Sequence, residues 1–325
     1  MNIVYASNDG YARHLAVSLY SLLEHNSEAK ELNVYLLSAG MSAEYQNRLK
    51  ELAGEFGREL SVIEFGNLKE RFDYQIDTRG FDISAMTRLF SAGVLPAEVK
   101  RALYLDCDTV VLGSLKGLWE TDLGNNLVGM VMEPTVYTEI KAVIDLTQKE
   151  AYYNSGVLLM DIDGWRREHI QDQFMDYYSR KNGQLFACDQ DTLNGVLKGR
   201  IKTLPPKYNF FTNYRYFKYE TLVRATEAYR EVSKEEFTEA GRKPVVIHYM
   251  GDERPWVAGN RNYYRKYYEY YLERTPWKGA PKEKGKELYM LVYFTMNQVT
   301  RICPPVRKWI SKRFGMKIID SRKKK

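Results

Sequence analysis

The chain has 325 residues, 44% of them hydrophobic and 28% charged, with a formal net charge of +6. That balance supports a sizeable folded core and excludes a disordered or fibrous chain, and no apolar run is long enough to span a bilayer. The positive charge is uneven: residues 278–325 hold 14 basic and three acidic groups, +11 net, whereas the first 277 hold 34 basic and 39 acidic groups, −5 net. Twenty-six tyrosines offer rings with a polar tip, which suit a carbohydrate-facing or membrane-interface surface. Cys107, Cys188 and Cys303 are odd in number and far apart; they form no zinc pattern and no disulfide frame, which fits a reducing compartment. No secretory leader is expected, because "MNIVYASNDG" enters a strand at once.

In chain order, "NIVYAS" is a strand, and the helix that follows presents Leu15, Leu19, Leu22 and Leu23 on one face. "LNVYLLSAG" is the second strand. A helix capped by Ser42 and stopped at Gly57 leads to a third strand, "ELSVIEF". This alternation predicts an α/β fold with a mostly parallel, doubly wound sheet and helices on both faces. A helix over 82–96 precedes a long strand, "RALYLDCDTVVLG", at 101–113. "NLVGMVME" and "YYNSGVLLMDID" are further strands, followed by a helix from Trp165 to about Lys181. "DQDTLNGVLKG" is a short helix, and "IKTLP" and "PVVIHYM" are late strands. After Pro276 a polar linker, "KGAPKEKGKE", opens the basic tail.

Ligands of open α/β sheets bind outside the carboxyl ends of the strands. The first strand ends at Ala6–Tyr11, where small residues admit a ligand to the backbone and Tyr11 can stack on a flat base. Asp106 and Asp108, two apart on an extended chain, point to the same side and require a counter-charge. A divalent cation bridging to phosphate satisfies them; turn capping or a strand-end salt bridge would as well. His248 fits either a third ligand for a borderline metal such as Mn²⁺ or a hydrogen-bonded core histidine. Gly251 and Arg254 can meet phosphate oxygens. Arg88 can pair with Asp82 or Asp189 or serve the site, and Asp189 can cap a helix. Cys107 lies between the two acids and is expected to pack.

Five phrases, "IVYASNDGYARHLAVSLYSLL", "ALYLDCDTVVLGSLKGLWETDLG", "YYNSGVLLMDIDGWR", "DQDTLNG" and "VVIHYMGDERPW", occur in order over nearly all of residues 1–277. In this the chain resembles glycosyltransferase family 8, and within it the bacterial lipopolysaccharide galactosyl/glucosyltransferase branch. The resemblance implies a single GT-A (Rossmann-like) domain over 1–277, with 278–325 a basic, helical C-terminal extension. It implies a retaining hexosyltransferase that uses UDP-glucose or UDP-galactose, with Mn²⁺ or Mg²⁺ on Asp106, Asp108 and His248. Ala6, Asn8 and Tyr11 would hold uridine, with Cys107 beside them. Arg88, Asn154, Gly156, Asp189 and Gln190 would line the donor sugar, and Gly251 and Arg254 the diphosphate. Asp189, Gln190 and Arg88 would be the catalytic group. Asn8 stands where an acidic residue is often found, Gly10 where related bacterial enzymes carry Asn, and Arg254 where Lys is usual.

In the tail, Leu288, Leu291, Val292, Met296, Val299 and Ile302 fall at helical spacing, widened by Tyr289, Tyr293 and Phe294. Trp309 and Phe314 follow among Lys and Arg. This predicts either an interfacial anchor on an anionic membrane surface or a helix docked on the domain with a solvated basic end. The anchor reading implies a cytoplasmic enzyme peripheral on the inner face of the membrane, acting on a glycan, glycolipid or glycoprotein of the cell envelope. No nucleic-acid partner is expected, since no reading module accompanies the charge. A non-catalytic nucleotide-sugar-binding protein on the same fold is the alternative function. A metal-dependent phosphohydrolase lacks the second carboxylate cluster that two metals need.

Overall fold

The computed structural model describes residues 1–66 and 83–302. Asp82, and with it the predicted start of the 82–96 helix, lies outside the described residues, as do Cys303, Trp309, Phe314 and the basic end of the tail.

The strands are β1 (Asn2–Ser7), β2 (Asn33–Ser38), β3 (Leu60–Glu64), β4 (Arg101–Leu105), β5 (Thr109–Val111), β6 (Val128–Met132), β7 (Tyr153–Asp161), β8 (Ile201–Thr203), β9 (Phe210–Phe211) and β10 (Val246–His248). Seven of them form one sheet in the order β3-β2-β1-β4-β7-β6-β8, and β5-β10-β9 form a second. The larger sheet is mostly parallel: β3, β2, β1 and β4 run together, as do β6 and β8, while β7 runs against both β4 and β6. β1 lies between β2 and β4, and Ile3, Val4, Tyr5 and Ala6 are all buried, so its unbroken apolar run is that of a strand covered on both faces.

The first helix, Ala12–His25, buries the predicted leucines together with Ser18 and Ser21. Ser18 Oγ lies 3.0 Å from Tyr5 Oη and 2.9 Å from Thr109 Oγ1, and the amide of Val111 donates to Ser21 Oγ at 3.0 Å. Buried hydroxyls require partners, and these partners pin β5 to the helix.

The predicted strand over 101–113 is two strands in two sheets. β4 ends at Leu105, the chain turns through Asp106–Asp108, and β5 begins at Thr109. Tertiary hydrogen bonds make the turn: the Asp106 amide donates to the Gly156 carbonyl at 2.8 Å, and the Tyr249 amide donates to the Asp108 carbonyl at 2.9 Å. The predicted 165–181 helix is likewise two, Ile162–Arg167 and Ile170–Arg180, separated by His169 at φ +51. Arg166 donates to the carbonyls of Ala92, Leu95, Pro96, Ala97 and Val99, which fixes the first piece, while Phe174 and Tyr178 of the second enter the core. The 82–96 helix is, where described, a 3₁₀ helix over Ile83–Phe90 followed by one α turn, Ser91–Val94. Ser42 precedes the second helix without capping it through its side chain; its amide donates to Asp9 Oδ1 at 2.7 Å instead.

The tail helix, Glu287–Ile302, docks by one side: Met290, Phe294, Asn297 and Thr300 are buried. The expected apolar face is mostly the other side, where Leu288, Leu291, Val292 and Ile302 are exposed. Among the described residues no helix is long and apolar enough to cross a membrane.

Candidate functional site

A cavity of about 430 Å³ opens beyond the ends of β1 and β4, between the larger sheet and β10. It is lined by twelve of the fourteen residues singled out in the sequence: Ala6, Tyr11, Arg88, Asp106, Cys107, Asp108, Asn154, Asp189, Gln190, His248, Gly251 and Arg254. Asn8 and Gly156 are not in its wall.

The turn that breaks the predicted strand brings both acids to one place. β5 pairs antiparallel with β10 so that His248 is opposite Thr109, one residue past Asp108. His248 Nε2 is therefore 3.1 Å from Asp108 Oδ1 and 3.8 Å from Asp106 Oδ2. One ligand atom from each of the three residues lies within 4.8 Å of the others, close enough to share a metal ion. His248 Nδ1 is 3.0 Å from Asn209 Oδ1, so donation there turns the Nε2 lone pair toward the carboxylates. Burial opposes charge on Asp108, but His248 and Arg254 outweigh it and hold the carboxyl below its usual range. Burial likewise disfavours His248⁺, and Asp108 and Asp106 outweigh it, raising the imidazole. Two carboxylates and one imidazole suit Mn²⁺ or Mg²⁺.

Gly156 belongs to this cluster although it does not line the cavity. A Cβ there would strike the His248 ring, so only glycine leaves the imidazole its place.

Arg88 is 3% exposed and sits where carboxylates converge. Its Nη2 donates to Asp106 Oδ1 at 2.7 Å, its Nε lies 3.1 Å from Asp189 Oδ2, and its Nη1 donates to the Ser155 carbonyl at 2.6 Å. Burial works against the guanidinium charge, and the two aspartates overcome it. Asp189 does not cap the helix Cys188–Val196; it lies inside its first turn, accepting from Ser155 Oγ at 2.9 Å, and burial raises its carboxyl despite Arg88. The Gln190 side-chain Oε1 accepts from the Ser155 amide at 3.0 Å, and its Nε2 donates to Glu133 Oε2 and Tyr152 Oη, both at 3.2 Å. Neither Asp189 nor Gln190 is without partners.

On the opposite wall, Gly251 takes φ +64 to open a short 3₁₀ turn, Gly251–Glu253, ahead of Arg254. That left-handed backbone is what makes the glycine necessary. The buried Arg254 Nε has no hydrogen-bond partner among the described residues. Tyr11 meets the ring of His14 edge-on at 5.4 Å, and His14 in turn packs on Trp256 at 3.8 Å. Burial drives His14 down to about 3, so it is neutral. Cys107 is packed, as expected, with Sγ donating to the Ala6 carbonyl at 3.3 Å, and it still forms part of the wall.

The glycosyl transferase family 8 model matches residues 2–259, which takes in every residue of this cavity. The chain belongs to glycosyl transferase family 8. As a family 8 member it is a glycosyltransferase. It is 26% identical to General stress protein A of Bacillus subtilis, over 85% of this chain and 94% of that protein. It is 25% identical to a lipopolysaccharide 1,2-glucosyltransferase of Escherichia coli K12, over 96% of this chain and 92% of the relative. Among solved structures, that of the galactosyltransferase LgtC in complex with donor and acceptor sugar analogs superposes with a TM-score of 0.72, at 26% identity, covering 85% of this chain and 96% of LgtC.

Two polar residues that serve this family 8 site were not singled out in the sequence: Glu133, which lines the cavity, and Asn209, which stands behind its wall. Glu133, just past the end of β6, accepts from Asn154 Nδ2 at 3.0 Å as well as from Gln190, and burial raises its carboxyl. Its signal was legible: an acid closing the predicted strand "NLVGMVME". Asn209 joins His248 to Asn154, donating to Asn154 Oδ1 at 2.9 Å. It stands in "KYNFF" with no local mark of its role.

Proposed function

We propose that the protein is a metal-dependent, retaining hexosyltransferase. It moves glucose or galactose from a UDP-sugar to a hydroxyl of a cell-envelope glycan, glycolipid or glycoprotein, and UDP leaves. The observation that carries this reading is the meeting of Asp106, Asp108 and His248 in one cavity with two guanidinium groups, those of Arg88 and Arg254. Asp106, Asp108 and His248 would hold Mn²⁺ or Mg²⁺. When bound, the cation supplies positive charge for the departing diphosphate. Arg254, with its unpartnered buried Nε, takes a diphosphate oxygen beside Gly251. Ala6 and Tyr11 form the uridine side of the cavity, and Asn154, Asp189, Gln190 and Arg88 the sugar side.

Retention requires the acceptor hydroxyl to arrive on the face the leaving group vacates, either directly or after a protein nucleophile has formed an ester. Asp189 is held by Arg88 and Ser155, and the Gln190 side-chain Oε1 by the Ser155 amide. These contacts favour direct front-face attack, with an oxygen of the departing UDP taking the hydroxyl proton. The outward Leu288, Leu291 and Val292 and the basic tail support a cytoplasmic enzyme resting on the inner membrane face.

The test is UDP release from UDP-glucose and from UDP-galactose, with Mn²⁺ or with EDTA, for the wild type and Asp108→Ala. Turnover that needs the metal and is lost in the variant is expected. UDP that binds tightly without turnover, whatever acceptor is offered, would favour the non-catalytic binding protein. Binding indifferent to the metal would remove the cation from the reading.

A further inference from the structure

Besides the bond from Asn262 Nδ2 to the Glu253 carbonyl at 2.8 Å, Arg254 stands between two points of attachment made by the C-terminal extension. On one side is the Gly251–Glu253 turn, only three residues long and therefore weak on its own. Tyr289 Oη donates to Asp252 Oδ2 and Tyr293 Oη donates to Glu253 Oε1, both at 2.7 Å, and Asn297 Nδ2 reaches the same Glu253 oxygen at 3.4 Å. Glu253 is 1% exposed, so its carboxylate depends on such donors. On the other side, the Glu283 amide donates to the Trp256 carbonyl at 2.8 Å, and the Ala258 amide donates to the Glu283 carbonyl at 2.7 Å. Arg13 fixes Glu283 through an ion pair at 3.1 Å. The family match stops at residue 259, so these donors come from a part of the chain it does not cover.

We propose that Tyr289 and Tyr293 are positioning residues for the donor diphosphate: their hydroxyl groups hold the 251–254 turn in the shape that aims Arg254 into the cavity. The inference rests on the proposed role of Arg254. A carboxylate released from its phenol donors seeks water, and the turn must open to let it. Arg254 then samples several orientations, and the donor loses a preorganised contact. Arg254 would meet the diphosphate in the bound donor as well as at departure, so the loss falls first on donor affinity and to a smaller extent on the chemical step.

The test uses the full-length chain with Tyr289→Phe and Tyr293→Phe, singly and together. Phenylalanine keeps the rings and removes only the hydroxyl groups. The double variant is expected to raise the Kd for UDP with Mn²⁺, and the KM for the donor, about five- to ten-fold, with kcat within about two-fold. Tyr293→Phe should account for more of this than Tyr289→Phe, because Glu253 is the more buried acid. Amide hydrogen exchange of 250–257 should quicken while that of 101–111 does not. Tyr219→Phe is the control, since it loses a comparable bond to the Val232 carbonyl, at 2.8 Å, away from the cavity. It should lower Tm as much and leave UDP affinity alone. Unchanged exchange over 250–257 in the double variant would overturn the proposal, as would equal loss of UDP affinity in Tyr219→Phe. Faster exchange at the turn in a protein whose wild type binds no UDP would uphold the tyrosine brace and discard the donor reading.

Discussion

Two turns carry opposite charge to the same cavity, and they are held in opposite ways. The acidic turn, Asp106–Asp108, is built into the core: backbone bonds join it to Gly156 and Tyr249, and its Thr109 neighbour is tied to Ser18 of the first helix. The basic turn, Gly251–Arg254, has one inner tie, the buried Asn262 Nδ2 donating to the Glu253 carbonyl at 2.8 Å, and its acidic side chains are held from outside by the last described helix. An acid cluster needs fixed geometry, because a metal ion tolerates little error in its ligands. A diphosphate clamp can depend on a peripheral brace, since one charge-assisted hydrogen bond is worth far less than a metal centre. Damage to the inner turn should therefore cost both fold and activity, and damage to the outer one chiefly donor affinity.

Gly156→Ala is the largest test of this contrast. Its methyl would displace the His248 ring, so turnover should fall by about a hundred-fold or more, with stability lower by about 1–3 kcal/mol. Enzyme assay and denaturant melts on the same preparation check both, and an active, stable variant would break the inner-turn argument. Arg254→Ala comes next. The donor KM should rise about ten-fold with Tm nearly unchanged, which a large fall in Tm would contradict.

A smaller effect is a pH signature of the inner wall. Burial lifts the Asp191 carboxyl to about 6, even though Tyr152 Oη donates to it at 2.5 Å. The folded state then holds a proton that the unfolded state releases near 4. That contribution is complete below about 4 and disappears as pH rises through about 6. Thermal melts from pH 4 to 7 should show Asp191→Asn gaining on the wild type as pH rises; parallel curves would mean the group titrates normally. The smallest effect on the enzyme itself is expected from Leu291→Glu on the outward face of the tail helix. Stability should move by less than about 0.5 kcal/mol, turnover of a soluble acceptor should hold, and sedimentation with anionic vesicles should fall. Unchanged sedimentation would move the lipid contact away from this helix face.

The first strands and helices were legible because their burial is periodic or continuous: Ile3–Ala6 in β1, and Leu15, Leu19, Leu22 and Leu23 on one helix face. The cavity residues were legible because acids and glycines at strand ends have few other reasons to be there. The break at Asp106 was not, since "LYLDCDTVV" is β-prone throughout and the bonds that bend it come from Gly156 and Tyr249, about 50 and 140 residues away. The break at His169 was hidden for a similar reason, as the contacts of Arg166 with the 92–99 segment fix the first piece. The tail's helical period was correct, and the sequence left open whether the helix docks on the domain or on a membrane. Met290, Phe294 and Asn297 pack inward while a second apolar stripe stays outside, and amphipathicity alone cannot rank two such faces.

The sequence by itself determined the α/β class, the order of most elements and nearly all of the cavity's charged residues, because those follow from local periodicity and from which side chains can bear charge at a strand's end. Only the tertiary structure decided that two carboxylates on one predicted strand sit in a turn between sheets, that Gly156 serves a histidine's ring, that Asn209 orients that ring, and that a distant helix holds Arg254's turn. Each of these is a contact between residues remote in the chain, and such contacts exist only once the packed core has fixed the distances between them.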